Sequence, residues 1–239
     1  TVKEHYDNHL GNFYSWMTGD FDMKTTEFKS FLTDNFITPT TNKIAIDLGA
    51  GHGIQSIPLA EIGFQVFAID FNQNLLNELK VNAKDLAVTV INDDIKNVEK
   101  FAYKSELMIC CGDTLSHLEN KIEVKTFITN MVKSLDKNGK LILSFRDYSN
   151  ILTGIDRFIP VKSDGTKILT CILDYEDEFV YVTDLLHEKT DDVWKQKVST
   201  YKKVRLFTNE IVAHLEGSGM TIKFNQIVNR LTTIIACKQ

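Results

Sequence analysis

The sequence predicts an α/β fold: a mainly parallel seven-stranded sheet with helices on both faces, an N-terminal helical lid and an inserted antiparallel β ribbon. Three observations predict it. Short apolar runs alternate with helical stretches from Ile44 to Phe145, which calls for crossover connections and hence parallel strands. After Arg146 the rhythm changes to polar–apolar alternation, the mark of half-buried antiparallel strands. Between them in importance stands one passage, Lys43 to Asp70 (KIAIDLGAGHGIQSIPLAEIGFQVFAID), in which a strand, a glycine-rich turn, a helix and a second strand follow one another and end on an acid.

The elements follow in order. Ile44–Leu48 reads as a buried strand, followed by Gly49, Gly51 and Gly53 and a helical stretch ending near Gly63, a C-cap glycine. Pro58 falls early in that helix, where a missing N–H costs least. Phe64–Ile69 is the second strand, Ala87–Ile91 the third and Glu106–Cys111 the fourth. An amphipathic helix then carries Ile122, Phe127, Ile128, Met131, Val132 and Leu135 on one face and ends near Gly139, before a fifth strand, Lys140–Phe145. Segments 166–175, 178–188 and 193–206 read as the ribbon. A helix over Asn209–Glu216 leads to a closing hairpin, Thr221–Val228 and Leu231–Cys237. The expected organisation is one domain over 1–239, with a lid at 1–38, a core at 39–148 and 207–239, and an insertion at 149–206.

The glycine passage is a recipe for an adenosine-containing cofactor. Glycines let the backbone turn tightly and approach a ligand, and Asp70, closing the second strand, is placed to accept both ribose hydroxyls. Spacing selects the cofactor. A dinucleotide fingerprint, G-x-G-x-x-G, needs glycine at 54, where this chain has Ile54. The pattern here is D-x-G-x-G-x-G, with Asp47 before the first glycine; an acid there opposes a pyrophosphate and suits the ammonium end of S-adenosylmethionine (SAM), whose product is S-adenosylhomocysteine (SAH).

Composition narrows the classes. A net charge of −5 without a basic block argues against a nucleic-acid footprint. No apolar run approaches the roughly 18–20 residues of a membrane span, and the opening TVKEHYDNHL is too polar for a signal peptide. Cys110, Cys111, Cys171 and Cys237 lie in apolar runs without a C-x-x-C knuckle, as expected of reduced thiols in a cytoplasmic protein. His5, His9, His187 and His214 are scattered, so no metal site is expected.

The 43–70 passage and the element order resemble the class I SAM-dependent methyltransferases, a Rossmann-like family, over nearly the whole chain. Three segments are similar, more narrowly, to glycine and sarcosine N-methyltransferases. Gly19-Asp20 with Lys24-Thr25-Thr26-Glu27-Phe28-Lys29 resembles their G-D-x-x-x-R-T-x-E-Y-K. Ile109 to Leu118 (ICCGDTLSHL) resembles their I-C-L-G-N-S-F-A-H-L, and Arg146-Asp147-Tyr148 their R-N-Y.

The resemblance implies a site. Lys24 matches an arginine that pairs with the SAM carboxylate. Gly49, Ala50, Gly51 and Gly53 bring backbone to the methionine moiety, Asp70 and Phe71 flank the ribose, and Cys111 and His117 lie near the cofactor. Asp94, or Asp93 beside it, accepts the adenine amino group while the Ile95 N–H donates to the ring. Arg146, at the end of a parallel strand, matches an arginine that grips an amino acid's carboxylate; its alternative is a structural ion pair with Asp147 or another acid. Trp16, with Phe13 and Tyr14, is either a lid over the site or plain packing. His52, between two glycines, reads as a turn residue. The family's asparagine becomes Asp113, which would attract an amine and repel a carboxylate; Asp113 or Tyr148 is the candidate to accept a proton. Val161 and Leu186 stand where family tyrosines surround the substrate, so the acceptor need not be glycine. The expected activity is methyl transfer to a small-molecule acceptor, an amine or amino acid bearing a carboxylate, with no nucleic-acid or membrane partner. A non-catalytic SAM-binding module and an NAD-dependent oxidoreductase are the alternatives.

Overall fold

The computed structural model describes residues 2–101 and 104–239. The N-terminal segment forms three helices, α1 (Val2–Asn8), α2 (Tyr14–Thr18) and α3 (Phe21–Asp34). Asp20 caps α3 by accepting the Met23 N–H at 2.8 Å. Then come β1 (Ile44–Leu48), α4 (Ser56–Glu61), β2 (Gln65–Asp70), α5 (Gln73–Ala83), β3 (Val88–Asn92), β4 (Ser105–Cys110), α6 (Lys121–Ser134) and β5 (Leu135–Phe145). Strands β6 (Phe158–Ser163), β7 (Lys167–Tyr175), β8 (Phe179–Thr190) and β9 (Val193–Val204) make a separate antiparallel sheet. The chain returns through α7 (Thr208–Gly217) to β10 (Met220–Val228) and β11 (Leu231–Lys238).

The main sheet has the order β10-β11-β5-β4-β1-β2-β3, and β11 alone runs against its neighbours. Side chains of β1 alternate between two cores: Ile46 and Leu48 pack with Met108 and Phe127 on one face, Ala45 with Val66, Leu79 and Leu107 on the other. A strand buried on both faces needs a continuous apolar run, and Ile44–Leu48 supplies it around a single acid.

Three expectations need correction. Ile122 is 78% exposed; α6 buries Val124, Phe127, Ile128, Met131 and Val132 instead, because Ile122 sits in the first turn on the solvent side. The helix ends at Ser134 and passes directly into β5, so Gly139 lies within a strand. The ribbon has a fourth strand, β6, which Pro160 disguised; proline is tolerated there because β6 is an edge strand with a register shift at Pro160/Lys162.

The lid packs on the ribbon rather than standing apart. Leu10 and Phe13 bury against Leu169 of β7 and Leu186 of β8, with Tyr6, Tyr14, Trp16 and Met17 around them. Lid and ribbon therefore meet above the carboxyl ends of the parallel strands.

Candidate active site

The crevice between β1 and β4 is the topological switch point of the sheet, where open α/β folds bind ligands. At the end of β1 the chain turns at Gly49 with φ +83°; a Cβ there would lie 2.5 Å from the Thr114 side chain, so only glycine fits between β1 and the turn after β4. Gly53, with φ +103°, does different work: a Cβ would meet Leu79 of α5 at 3.1 Å, so it sets helix packing and borders neither of the two cavities of this crevice.

Two cavities open here. The larger, about 1080 Å³, is bordered by Gly49, Gly51, Asp70, Phe71, Asp93, Asp94 and Ile95. The smaller, about 490 Å³, is bordered by Ala50, Cys111, Asp113, Arg146, Tyr148 and Lys203, with Lys24 and His52 at its lid side. They share a wall made of Tyr6, Tyr14, Gly49, Gly112, His117 and Tyr201.

In the larger cavity the Asp70 carboxylate is buried and fixed. Oδ2 accepts the Gly51 N–H at 2.9 Å and Oδ1 the Asn72 N–H at 2.8 Å. A carboxylate has about four lone-pair sites, so both oxygens keep acceptor capacity for a diol. Burial raises its pKa while those N–H groups oppose the rise. Tyr6 from α1 closes on this end, edge-on to Phe71 at 5.6 Å and to His117 at 5.6 Å. Asp94 accepts the Lys96 N–H at 2.9 Å, and Asp93 accepts from Asn97 at 2.7 Å, which lowers the Asp93 pKa.

His117 stacks on Tyr201 at 5.7 Å, and its buried Nδ1 has no partner among the described residues. Burial, reinforced by the charge of Lys203, pushes its pKa down to about 3, so the ring is neutral at pH 7. An uncharged ring is what a site for a sulfonium cation requires.

Asp113 is not free to attract an amine. It sits at φ +72° after Gly112; its Oδ2 accepts from Lys203 Nζ at 2.6 Å and its Oδ1 from the Arg146 N–H at 2.9 Å. Burial is the largest single effect and works against ionisation, but Lys203, His117 and the Arg146 N–H together hold the carboxyl below its usual value, which makes it a poor base. Tyr148 is 2% exposed and burial raises its pKa, so its hydroxyl stays protonated at neutral pH. Arg146 is exposed at the cavity, and its guanidinium has no ion pair among the described residues. Asp147 instead accepts from the Thr208 N–H at 2.9 Å.

Three further site residues are placed differently from expectation. Asp47 is 1% exposed, accepts from Ser56 Oγ at 2.5 Å and borders neither cavity. Lys24 Nζ is held by Glu27 at 2.9 Å, one helical turn on, which satisfies the charge meant for a ligand carboxylate. Trp16 borders neither cavity: its Nε1–H donates to Asp164 at 2.5 Å and its ring lies under Lys162, so it clips the lid to the ribbon's first turn.

Residues that sequence reading passed over complete the site. Lys203 and Tyr201 share the inner face of β9, a placement that the i, i+2 alternation of that strand encodes. His5, far from scattered, is buried beside His9, 3.2 Å from Asp184 Oδ2, within 2.7 Å of Ser199 Oγ and stacked on Tyr201 at 4.0 Å. Among the described residues no group of His, Cys, Asp and Glu is arranged to hold a metal, and no helix is long and apolar enough to cross a membrane. All four cysteines are free thiols.

Asp47 carries a pH prediction. Burial pushes its pKa up to about 7 against the pull of Ser56. Between the ordinary carboxylate value and about 7, the folded chain holds a proton that the unfolded chain has lost. Stability therefore falls as pH rises through that window, by about 1.4 kcal/mol per unit. Urea denaturation at pH 5 and pH 7 should show the wild type losing about 2 kcal/mol relative to Asp47→Asn; parallel losses in the two proteins would contradict the assignment.

Residues 45–139 match the family described as a methyltransferase domain. Over 101 residues the chain is 33% identical to the ubiquinone biosynthesis O-methyltransferase of Rickettsia conorii, a stretch covering 41% of this chain and 33% of that protein. Over 189 residues it is 26% identical to the glycine N-methyltransferase of Rattus norvegicus, covering 70% of this chain and 63% of the relative. The matched stretch thus spans about a third of the first relative's length and under two thirds of the second's. The crystal structure of an S-adenosylmethionine-dependent methyltransferase from Clostridium acetobutylicum superposes with a TM-score of 0.74 over 99% of this chain and 97% of that chain, at 16% identity. The resemblance carried by the motifs therefore holds: the chain has the fold of the class I SAM-dependent methyltransferases, its residues 45–139 match a methyltransferase domain, and it is similar to a glycine N-methyltransferase.

Proposed function

We propose that the protein transfers a methyl group from SAM to a small-molecule acceptor that carries a carboxylate. The observation that carries this reading is the pair of cavities meeting at Gly49, Gly112 and His117 over the switch point. One cavity offers Asp70 for a ribose and Asp94 and Ile95 for a base. The other offers Arg146, whose guanidinium has no ion pair among the described residues, for an anion. When bound, the sulfonium supplies an already activated methyl group. The protein's part is alignment and exclusion of water, which contribute on the order of 7–11 kcal/mol when reactants are held at near-attack distance. Tyr6 and Tyr14 from the lid cover the shared wall. His117 stays neutral and adds no repulsion to a sulfonium. With Asp113 paired and Tyr148 protonated, neither acts as a strong base, so the acceptor reacts through an atom that has already lost its proton, as a free amine has. The similarity to a glycine N-methyltransferase agrees with an amine acceptor.

The test is SAH formation from SAM across a panel of small amines and amino acids, with carboxylate-bearing members expected to react. With a reactive member, Arg146→Ala should raise the acceptor KM by about 10- to 100-fold, the worth of a charged hydrogen bond, while the SAM Kd changes less than about twofold. A larger effect on SAM than on the acceptor would remove Arg146 from the acceptor site. SAM binding without turnover on any member would favour a non-catalytic SAM-binding module.

A further inference from the structure

Lys203 is 9% exposed and enters the smaller cavity from the inner face of β9. An ammonium carries three N–H donors. Among the described residues one is used, by Asp113 at 2.6 Å; beyond that the group lies 5.6 Å from the centre of the Tyr201 ring. Burying an ammonium is costly, and buried polar groups in folded proteins are paired, so donors left over at a cavity wall call for a partner. The ion pair does not explain them, since a buried pair is in itself weak evidence for stabilisation.

The other charges of the cavity say what that partner is. Asp113 is cancelled by Lys203, Glu27 is engaged by Lys24, and Asp184 faces His5 at 3.2 Å and Cys171 at 3.0 Å. Arg146 remains unpaired among the described residues, and Ile159, Leu173 and Val182 supply apolar wall. Among the described residues the cavity thus offers two cationic groups with donors to spare, and each of its carboxylates already has a contact.

We propose that Lys203 is a second acceptor-binding group beside Arg146, donating to an oxygen of the methyl acceptor, so that the acceptor carries two separate carboxylates. This rests on the methyltransferase reading above. It also makes β9 a determinant of specificity, because the ribbon delivers one of the two anchors.

The experiment measures binding of acetate, malonate, succinate and glutarate to the SAH-saturated protein by calorimetry or ligand-observed NMR. The wild type should bind the best diacid about 10-fold or more tighter than acetate, the worth of one charge-assisted hydrogen bond. In D113N/K203M, which keeps the cavity's charge balance, that advantage should fall below about threefold while SAH affinity is unchanged. A diacid advantage that survives in the double variant, or its absence from the wild type, would overturn the proposal. Failure of the wild type to bind SAH would overturn the reading beneath it as well.

Discussion

Replacing Asp70 by Ala is expected to weaken SAM binding by about 100-fold or more while the protein stays folded. Two hydroxyl donors meeting one carboxylate are each worth about 1.5–3 kcal/mol as hydrogen bonds to a charged group, and both are lost together. The same carboxylate fixes the Gly51 and Asn72 N–H groups, so the variant also loosens the turn that borders the larger cavity. Asp70→Asn keeps one acceptor oxygen and should fall between the two. Calorimetric titration gives the affinities, and far-UV circular dichroism checks the fold. Unchanged affinity in Asp70→Ala would remove the ribose from the end of β2.

The second large effect concerns the Lys203–Asp113 pair. Lys203→Met leaves a buried carboxylate uncompensated and should cost about 3–5 kcal/mol of stability, whereas D113N/K203M should recover most of it. The sign of the pH dependence follows from the two shifts. Asp113 is held below its ordinary value, so its share of stability is present above that value and is lost as pH falls through the depressed pKa. Lys203 is held above its ordinary value, so its share is present below that value and is lost as pH rises through the raised pKa. The pair is therefore intact across the neutral range, where denaturant titrations of the two variants should be made. A Lys203→Met cost under about 1 kcal/mol would mean that the carboxylate finds water or another partner.

The legibility of this chain divides by sequence distance. The passage from Ile44 to Asp70 was readable because everything that defines it is local: a strand-length apolar run, glycines at fixed offsets, and an acid closing the next strand. Arg146 was readable as a residue at the end of a parallel strand. What escaped depends on contacts between distant segments. Asp113 looked like a free acid because its partner lies 90 residues away on the ribbon. His5 looked like a stray histidine because Asp184 and Ser199 come from the distant ribbon strands β8 and β9, 194 residues away in the case of Ser199. Trp16, readable as lid or as packing, is taken by Asp164 from the ribbon; Lys24, matched to a motif, is the local exception, since Glu27 three residues on engages it first. Ile122 shows the limit of periodicity at a helix start, where a first-turn residue fits the apolar face on paper and points to solvent in the fold.

One measurement tests the central claim most directly: titration of the purified protein with SAM, SAH and NADH at matched concentrations. The account predicts binding of SAM and SAH and no binding of NADH, since Ile54 breaks the dinucleotide spacing while Asp70 and the Gly49–Gly51 turn suit an adenosyl ligand. Binding of NADH with no response to SAM would contradict it and put an oxidoreductase in its place.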